Sequence, residues 1–226
     1  MSKFKGVVGI IPVKANSERV KKKNLRKFCN TTLFELKLNQ LKKAKKFKSI
    51  IVSSENKKVL KIAEKHGYET HLRDPYYSTS KVPMSEVYSY IASEVDAEHV
   101  AWINVTNPLA SSKIYDRAVD QYKKVYKKYD SLLSASKKQE NFFYKNKPVN
   151  FKPYPWPRSQ DLEGLISLTF VINILKRKNL VKWGSCVGKK PYFYILDSIT
   201  AMDIDNKSDF NICEYFYKKK LLPNID

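Results

Sequence analysis

Short apolar runs alternate along the chain with segments whose apolar residues recur every three or four positions. Gly6 to Pro12 (GVVGIIP) reads as a buried strand closed by proline. Phe34, Leu38, Leu41 and Ala44 fall at helical spacing and predict a helix over Thr32 to Phe47. Ser49 to Ser53 (SIIVS) is the next strand, and Val59, Ile62 and Ala63 mark a helix that Gly67 ends. Tyr68 to Leu72 is a weaker strand. A helix carrying Val87, Ile91 and Val95 follows, then a strand over His99 to Val105. Ile114, Ala118 and Val125 outline another helix before a strand at Ser131 to Ala135.

Strand and helix thus alternate with short connections over the first 135 residues, the pattern of a parallel, doubly wound α/β sheet. The remainder is less regular. Phe142 to Pro157 is rich in aromatic residues, Pro, Asn and Lys, and suits a hairpin or an excursion from the sheet. Ile166 to Ile172 and Tyr192 to Leu196 read as strands, and Phe210, Cys213 and Tyr217 share one face of a C-terminal helix. The expected organisation is one domain over 1–226 with an appended arm at about 139–175.

Composition narrows the class. Hydrophobic residues make up 42% of 226, enough for a sizeable core and too many for a disordered chain. No run of about 18 apolar residues occurs, so no spanning helix is expected. The N-terminus lacks the apolar core of a signal peptide. Three widely separated cysteines argue against a disulfide framework and for reduced thiols in a cytoplasm. The net charge of +21 raises a polyanion-binding reading. The lysine pairs mostly fall opposite apolar stripes, however, which suits solvated helix faces, and anionic small substrates would gain equally from the potential.

In open α/β sheets ligands bind beyond the carboxyl ends of the strands. After the first strand, Lys14 to Asn24 offers hydroxyl and amide donors and five cations in eleven positions. Such a loop suits a polyphosphate held by cations and backbone amides, or else is simply a solvated basic loop. It is not a Walker A sequence. Near the other end stand Asp203 and Asp205, then Asp209-Phe210. On a strand the first two share a face and can hold Mg²⁺, which takes one or two carboxylates plus phosphate oxygens. Asp205 or Asn206 suits a helix cap, and Asp209 favours the first turn. Asn104, Thr106 and Asn107 cluster after one strand, Arg73 follows another, and Arg158 and Gln160 follow the proline-rich segment. The three histidines lack metal-ligand spacing, and no serine or cysteine has a recognisable nucleophile context.

Together these segments resemble the acylneuraminate cytidylyltransferase (CMP-sialic acid synthetase) family over nearly the whole chain. Ile11-Pro12-Val13-Lys14-Ala15-Asn16-Ser17 through Lys23-Asn24-Leu25 is similar to the family's I-P-A-R-G-G-S and K-N-L elements. Asn104-Val105-Thr106-Asn107-Pro108-Leu109 resembles its Q-P-T-S-P-L turn, and Ser159-Gln160-Asp161-Leu162 after Arg158 its arginine-containing segment. Asp203-Ile204-Asp205 with Asp209-Phe210 matches D-I-D-x-x-x-D-F as it stands.

The resemblance implies a Rossmann-like nucleotide-diphospho-sugar transferase fold, a mostly parallel sheet flanked by helices, and a homodimer joined through the excursion. It implies that a sugar's anomeric hydroxyl attacks the α-phosphate of CTP. Lys23 and Asp205 would carry the catalysis. Pro12, Lys14, Ser17, Lys23, Asn24, Arg73 and Ser85 would contact the nucleotide, and Asn104, Arg158 and Gln160 an acidic nonulosonic sugar. Asp203 and Asp205 would hold Mg²⁺. Membrane and nucleic-acid partners are not expected.

The chain also departs from the pattern. Lys14 stands for the loop arginine, Ala15 and Asn16 for its glycines, Asn104 for glutamine and Ala110 for arginine, and Glu18 adds a negative charge. These departures suit another nonulosonic acid, such as legionaminic or pseudaminic acid, and equally a weaker catalyst. The rivals are a cytidylyltransferase for the eight-carbon acid Kdo, a polyanion-binding domain and a catalytically weak nucleotide-binding homologue.

Overall fold

The computed structural model describes residues 4–15, 20–221 and 223. In chain order the strands are β1 (Val7–Pro12), β2 (Lys27–Phe28), β3 (Thr31–Thr32), β4 (Ser49–Ser54), β5 (Glu69–Leu72), β6 (His99–Trp102), β7 (Ser131–Lys138), β8 (Phe143–Tyr144), β9 (Lys147–Pro148), β10 (Leu165–Lys176) and β11 (Pro191–Ile195). The helices are α1 (Leu33–Lys42), α2 (Lys57–Lys65), α3 (Met84–Ser93), α4 (Ser112–Val125), α5 (Arg177–Trp183) and α6 (Lys207–Lys218).

Seven strands form one sheet in the order β11-β7-β10-β6-β1-β4-β5. β1 is central and parallel to both β4 and β6, β4 is parallel to β5, and β7 to β11. Residues alternate across the sheet as a strand's period of two requires. Val7 and Ile11 enter a core under α1, α2, α4 and α6, while Val8 and Ile10 enter a second core under α3 and α5. A continuous apolar run is what a strand covered on both faces needs. No helix among the described residues is long and apolar enough to cross a membrane. Cys29, Cys186 and Cys213 are free thiols.

The strand that departs from the parallel pattern is β10, antiparallel to both β6 and β7. The chain leaves β7 at the carboxyl end, makes the small β8–β9 hairpin, and re-enters from the same end without a helical crossover. A strand entering that way runs antiparallel. The segment outside the sheet is therefore 139–164, and from Leu165 the chain is back in it.

Local chemistry sets the helix ends. The Thr32 side chain accepts from Glu35 N at 3.2 Å to start α1. That helix stops at Lys42, short of the expected Phe47, because the amides of Lys45 and Lys46 turn away to Asp116 on α4. Asn206 and Asp209 form a reciprocal capping box at α6. Periodicity does not predict the short α5; Leu180 alone of its residues is fully buried, and Gly184 ends it at φ +56°.

Gly184 is also where α5 meets α3. A Cβ there would lie 2.8 Å from the Ser85 carbonyl oxygen, closer than real contacts allow. Gly184→Ala should therefore cost about 2–3 kcal/mol, from left-handed strain plus steric overlap. Gly67→Ala, at φ +82° but facing open space, should cost only about 1 kcal/mol. Urea unfolding of the two variants checks the difference.

Candidate active site

The order of strands makes a switch point at β1, whose neighbours β4 and β6 leave in opposite directions, and ligand clefts form there. A cleft of about 510 Å³ opens at the carboxyl ends of these strands. It is lined by residues from four places. The loop after β1 gives Pro12, Lys14, Val20, Lys23 and Asn24; the segment after β5 gives Arg73, Ser78 and Ser80. The third group is Met84, Val87 and Tyr88 on α3, and the fourth is Trp102 at the end of β6 with Asn104, Val105 and Thr106 after it, together with Phe170 on β10.

The described ends of the basic loop are pinned. The Asn24 amide donates to the Lys14 carbonyl at 3.0 Å, closing the loop's two ends on one another. Lys14 Nζ donates to the Thr79 carbonyl at 3.3 Å. The Ala15 amide donates to Glu55 Oε1 at 3.0 Å, and Ser78 Oγ donates to Glu55 Oε2 at 3.0 Å. Arg73, 1% exposed, gives Nη2 to the same carboxylate at 2.9 Å and to the Val13 carbonyl at 2.7 Å. Burial pushes the Glu55 carboxyl upward, but hydrogen bonds from the Ala15 amide, its own amide, Arg73 and Ser78 overcome this and hold it below the usual range. Glu55 thus ties the ends of β1, β4 and β5 together.

The turn after β6 is anchored from beneath. Lys37 on α1, fully buried, donates to the Asn107 carbonyl at 2.8 Å and to the Tyr115 hydroxyl. Burial lowers its ammonium to about 7, against the pull of the Asp203 charge. The Asn107 amide in turn donates to the carbonyls of Thr169 at 3.2 Å and Met202 at 3.1 Å.

Asp203 and Asp205 are not on a strand, contrary to the expectation; the segment is irregular and leads into α6. It is fixed by the Ile204 amide donating to the Thr106 carbonyl at 2.9 Å and by Lys23 Nζ donating to the Ile204 carbonyl. Neither aspartate is a wall residue of the cleft, and both stand behind Lys23 and Thr106, which are. Burial raises the Asp203 carboxyl above the usual range, helped by Asp205 and opposed by the Thr106 hydroxyl, Lys23 and the Ile204 amide. Asp203 Oδ1 is buried without a hydrogen-bond partner. Lys23 and Lys37 offset part of its charge but leave that oxygen unpartnered, and a hard divalent cation fits such an atom. Among the described residues no cluster of three or more His, Cys, Asp or Glu could hold a metal ion by itself. Asp209 is used by the capping box, its Oδ2 accepting from the amides of Asp205 and Asn206 at 2.9 Å each.

Of the residues singled out in the sequence, Pro12, Lys14, Lys23, Asn24, Arg73 and Asn104 line the same cleft. Ser17 lies outside the described residues. Ser85 is exposed near the start of α3, against Gly184, and is not in the cleft wall. Arg158 and Gln160 lie on the excursion; Arg158 pairs with Asp161 at 2.7 Å, and neither lines its own chain's cleft. Three further residues escape sequence reasoning. Glu55 follows a strand, where ligands are expected, but its charge is the wrong sign for a phosphate site. Lys37 shows a cation amid the apolar stripe of a helix, a readable signal. Phe170 sits in an apolar run that reads as plain strand; nothing in the pattern reveals its φ of +53°.

Comparisons with known proteins bear on the family and the fold. Residues 8–154 match the Cytidylyltransferase family. The post-translational flagellin modification protein B of Campylobacter coli is 26% identical, covering 96% of this chain and 97% of its own. The CMP-N,N'-diacetyllegionaminic acid synthase of Campylobacter jejuni is 25% identical with the same coverage of both chains. Among solved structures, a CMP:2-keto-3-deoxy-manno-octonic acid synthetase complexed with CTP superposes with a TM-score of 0.69 over 95% of this chain and 99% of that one, at 9% identity.

Glu55→Gln should cost about 3 kcal/mol at neutral pH, because it leaves the Arg73 guanidinium buried without its counter-charge. Since the Glu55 pKa is lower folded than unfolded, its contribution is complete above the ordinary carboxylate range and is lost as pH falls through the folded value. Urea midpoints of wild type and variant should therefore converge as pH falls from neutral to below the ordinary carboxylate range.

Proposed function

The chain belongs to the cytidylyltransferase family, and on that premise we propose that it couples CTP to a nonulosonic, sialic-acid-like sugar, giving the CMP-sugar and pyrophosphate. The observation that carries this reading is the bond from Lys23 Nζ to the Ile204 carbonyl, between Asp203 and Asp205. It brings the basic loop after β1 and the carboxylate pair before α6 to one edge of one cleft. The name of the Campylobacter jejuni relative supports a nonulosonic acceptor. The Kdo alternative rests on a structure 9% identical, a likeness of fold alone.

In this reading the anomeric hydroxyl oxygen of the sugar forms a bond to the α-phosphorus of CTP and gives its proton to solvent, while the bond from that phosphorus to the bridging oxygen breaks, releasing pyrophosphate. Lys14 and Lys23 offset the triphosphate charge. Asn24, whose side-chain oxygen is buried without a partner, and the loop amides orient the nucleotide, while Asn104 faces the acceptor. Such transfers need positioning and charge stabilisation more than covalent help. A divalent metal goes with the family's chemistry; Asp203 and Asp205 would hold it here as Mg²⁺. Bound there, it supplies positive charge to the phosphate oxygens. The net charge of +21 then serves to draw two anionic substrates to the cleft.

We assign the excursion to a homodimer contact. Phe143, Tyr144, Tyr154 and Trp156 on it are exposed, and aromatic side chains gathered on one exposed segment favour a protein partner. Arg158 and Gln160, outside their own cleft, would then reach the sugar carboxylate in the partner's, where a guanidinium's fork geometry suits it. The cytoplasm, as the source of CTP, is the compartment this reaction fits.

Pyrophosphate release with CTP and Mg²⁺ should appear with at least one of N,N'-diacetyllegionaminic, pseudaminic and N-acetylneuraminic acids and be weaker with Kdo. Absence of release and of CTP binding would overturn the reading. Asp205→Asn and Lys23→Ala should each lower kcat by about 10²-fold or more. Asp203→Asn should do the same yet leave the apo fold as stable or more so, since the raised carboxyl is a group the fold prefers uncharged. Light scattering should give twice the 26.4 kDa chain mass, and a monomer would remove the arm's assigned role.

A further inference from the structure

Phe170 is built into the cleft in a way the fold alone does not explain. It sits in a bulge where the pairing of β10 with β7 shifts register between Leu168 and Asn173. Its φ of +53° is open to glycine and disfavoured for any residue with a Cβ. Buried bonds impose this conformation from both sides. Before it, the Thr169 carbonyl accepts from the Asn107 amide at 3.2 Å; beyond it, the Ile172 amide donates to Ser134 Oγ at 3.1 Å. The Asn107 backbone is in turn held by buried Lys37.

The ring does not repay that strain in the interior. Among the described residues Phe170 belongs to neither core cluster and is not among the partly buried side chains packed on them. It is half-buried in the wall of the cleft, together with Met84, Val87, Tyr88 and Trp102. A strained residue held by its surroundings at a binding cleft points to a functional reason.

Its place in the sheet separates it from the anchors of the nucleotide loop. β10 is separated from β4 and β5 by β6 and β1, so Phe170 lies across the sheet from Arg73, Ser78 and Lys14's anchor at Thr79. The nucleotide loop occupies that far side and the centre. Phe170 shares its side with Asn104, the end left for the acceptor.

We infer that Phe170 determines acceptor specificity: its ring is an apolar wall that selects a sugar acid bearing an apolar substituent, such as an N-acyl methyl, over one with a hydroxyl at that carbon. This rests on the proposed activity. A hydroxyl pressed on the ring would give up water without gaining a partner. Apolar walls discriminate by only about 10–200-fold, so the preference is of that size.

The test is kcat/KM for an N-acylated nonulosonic acid and for its counterpart with a hydroxyl at the same carbon, in wild type, Phe170→Gly and Phe170→Asn. Wild type should favour the acylated acid by at least about 10-fold. Phe170→Gly should bring the ratio near one through the acceptor KM, with the CTP KM unchanged and no loss of urea stability. Asn, which tolerates left-handed backbone, should move the ratio further toward the hydroxylated acid and stands in if the glycine variant folds poorly. Turnover by all three proteins at one fixed ratio overturns the inference and leaves the activity standing. No turnover by any of them with any sugar acid overturns the activity and the inference with it.

Discussion

The ion pair between Glu55 and Arg73 is the constraint from which the cleft follows. One carboxylate receives the Ala15 amide, the Ser78 hydroxyl and the Arg73 guanidinium, and that guanidinium also holds the Val13 carbonyl. Three parallel strands end within reach of this knot. Parallel strands give no hairpin to fix their ends relative to one another, so a side-chain tie does the work that a turn does in an antiparallel sheet. Because Arg73 is almost fully buried, the pair cannot be loosened into water cheaply. The loop that follows β1 therefore starts from a fixed point and is closed again by Asn24 on the Lys14 carbonyl.

The other side of the cleft is organised by charge under tension. Lys37 is buried deeply enough to lose most of its preference for the ammonium form, and Asp203 enough to resist ionising. Each would be easier to accommodate with the opposite charge closer. The protein without ligands therefore carries two buried ionisable groups at some cost in stability. Preorganised sites commonly trade stability for function in this way.

Much of this architecture is legible in the order of residues alone. The alternation of apolar runs with helical periodicity yields the sheet and its helices, since both periods are consequences of burial on a covered sheet. The β1 loop, Asn104 and Arg73 can be found because strand ends are where such folds bind. What escapes are features set by tertiary context. The reversal of β10 depends on where the chain re-enters, not on its composition. Asp203-Ile204-Asp205 alternates like a strand, but its amide and carbonyl are taken by Thr106 and Lys23 and no neighbouring strand pairs with it. A phenylalanine at positive φ contradicts its own local preference, and such conflicts are expected where a site, rather than the core, dictates the residue.

The direct pairing of β7 with β10 has a consequence for how this protein can vary. The two strands are neighbours in the sheet, so segment 139–164 is topologically a swollen hairpin loop. Its removal, exchange or extension leaves every core strand with its partners in place. Doubling such a loop costs only about 0.6 kcal/mol of closure entropy. The outward-reaching surface can thus diverge among descendants of this fold almost independently of the sheet's strand pairing. Changes at the foot of β10, where the bulge is locked to the turn after β6, have no such freedom.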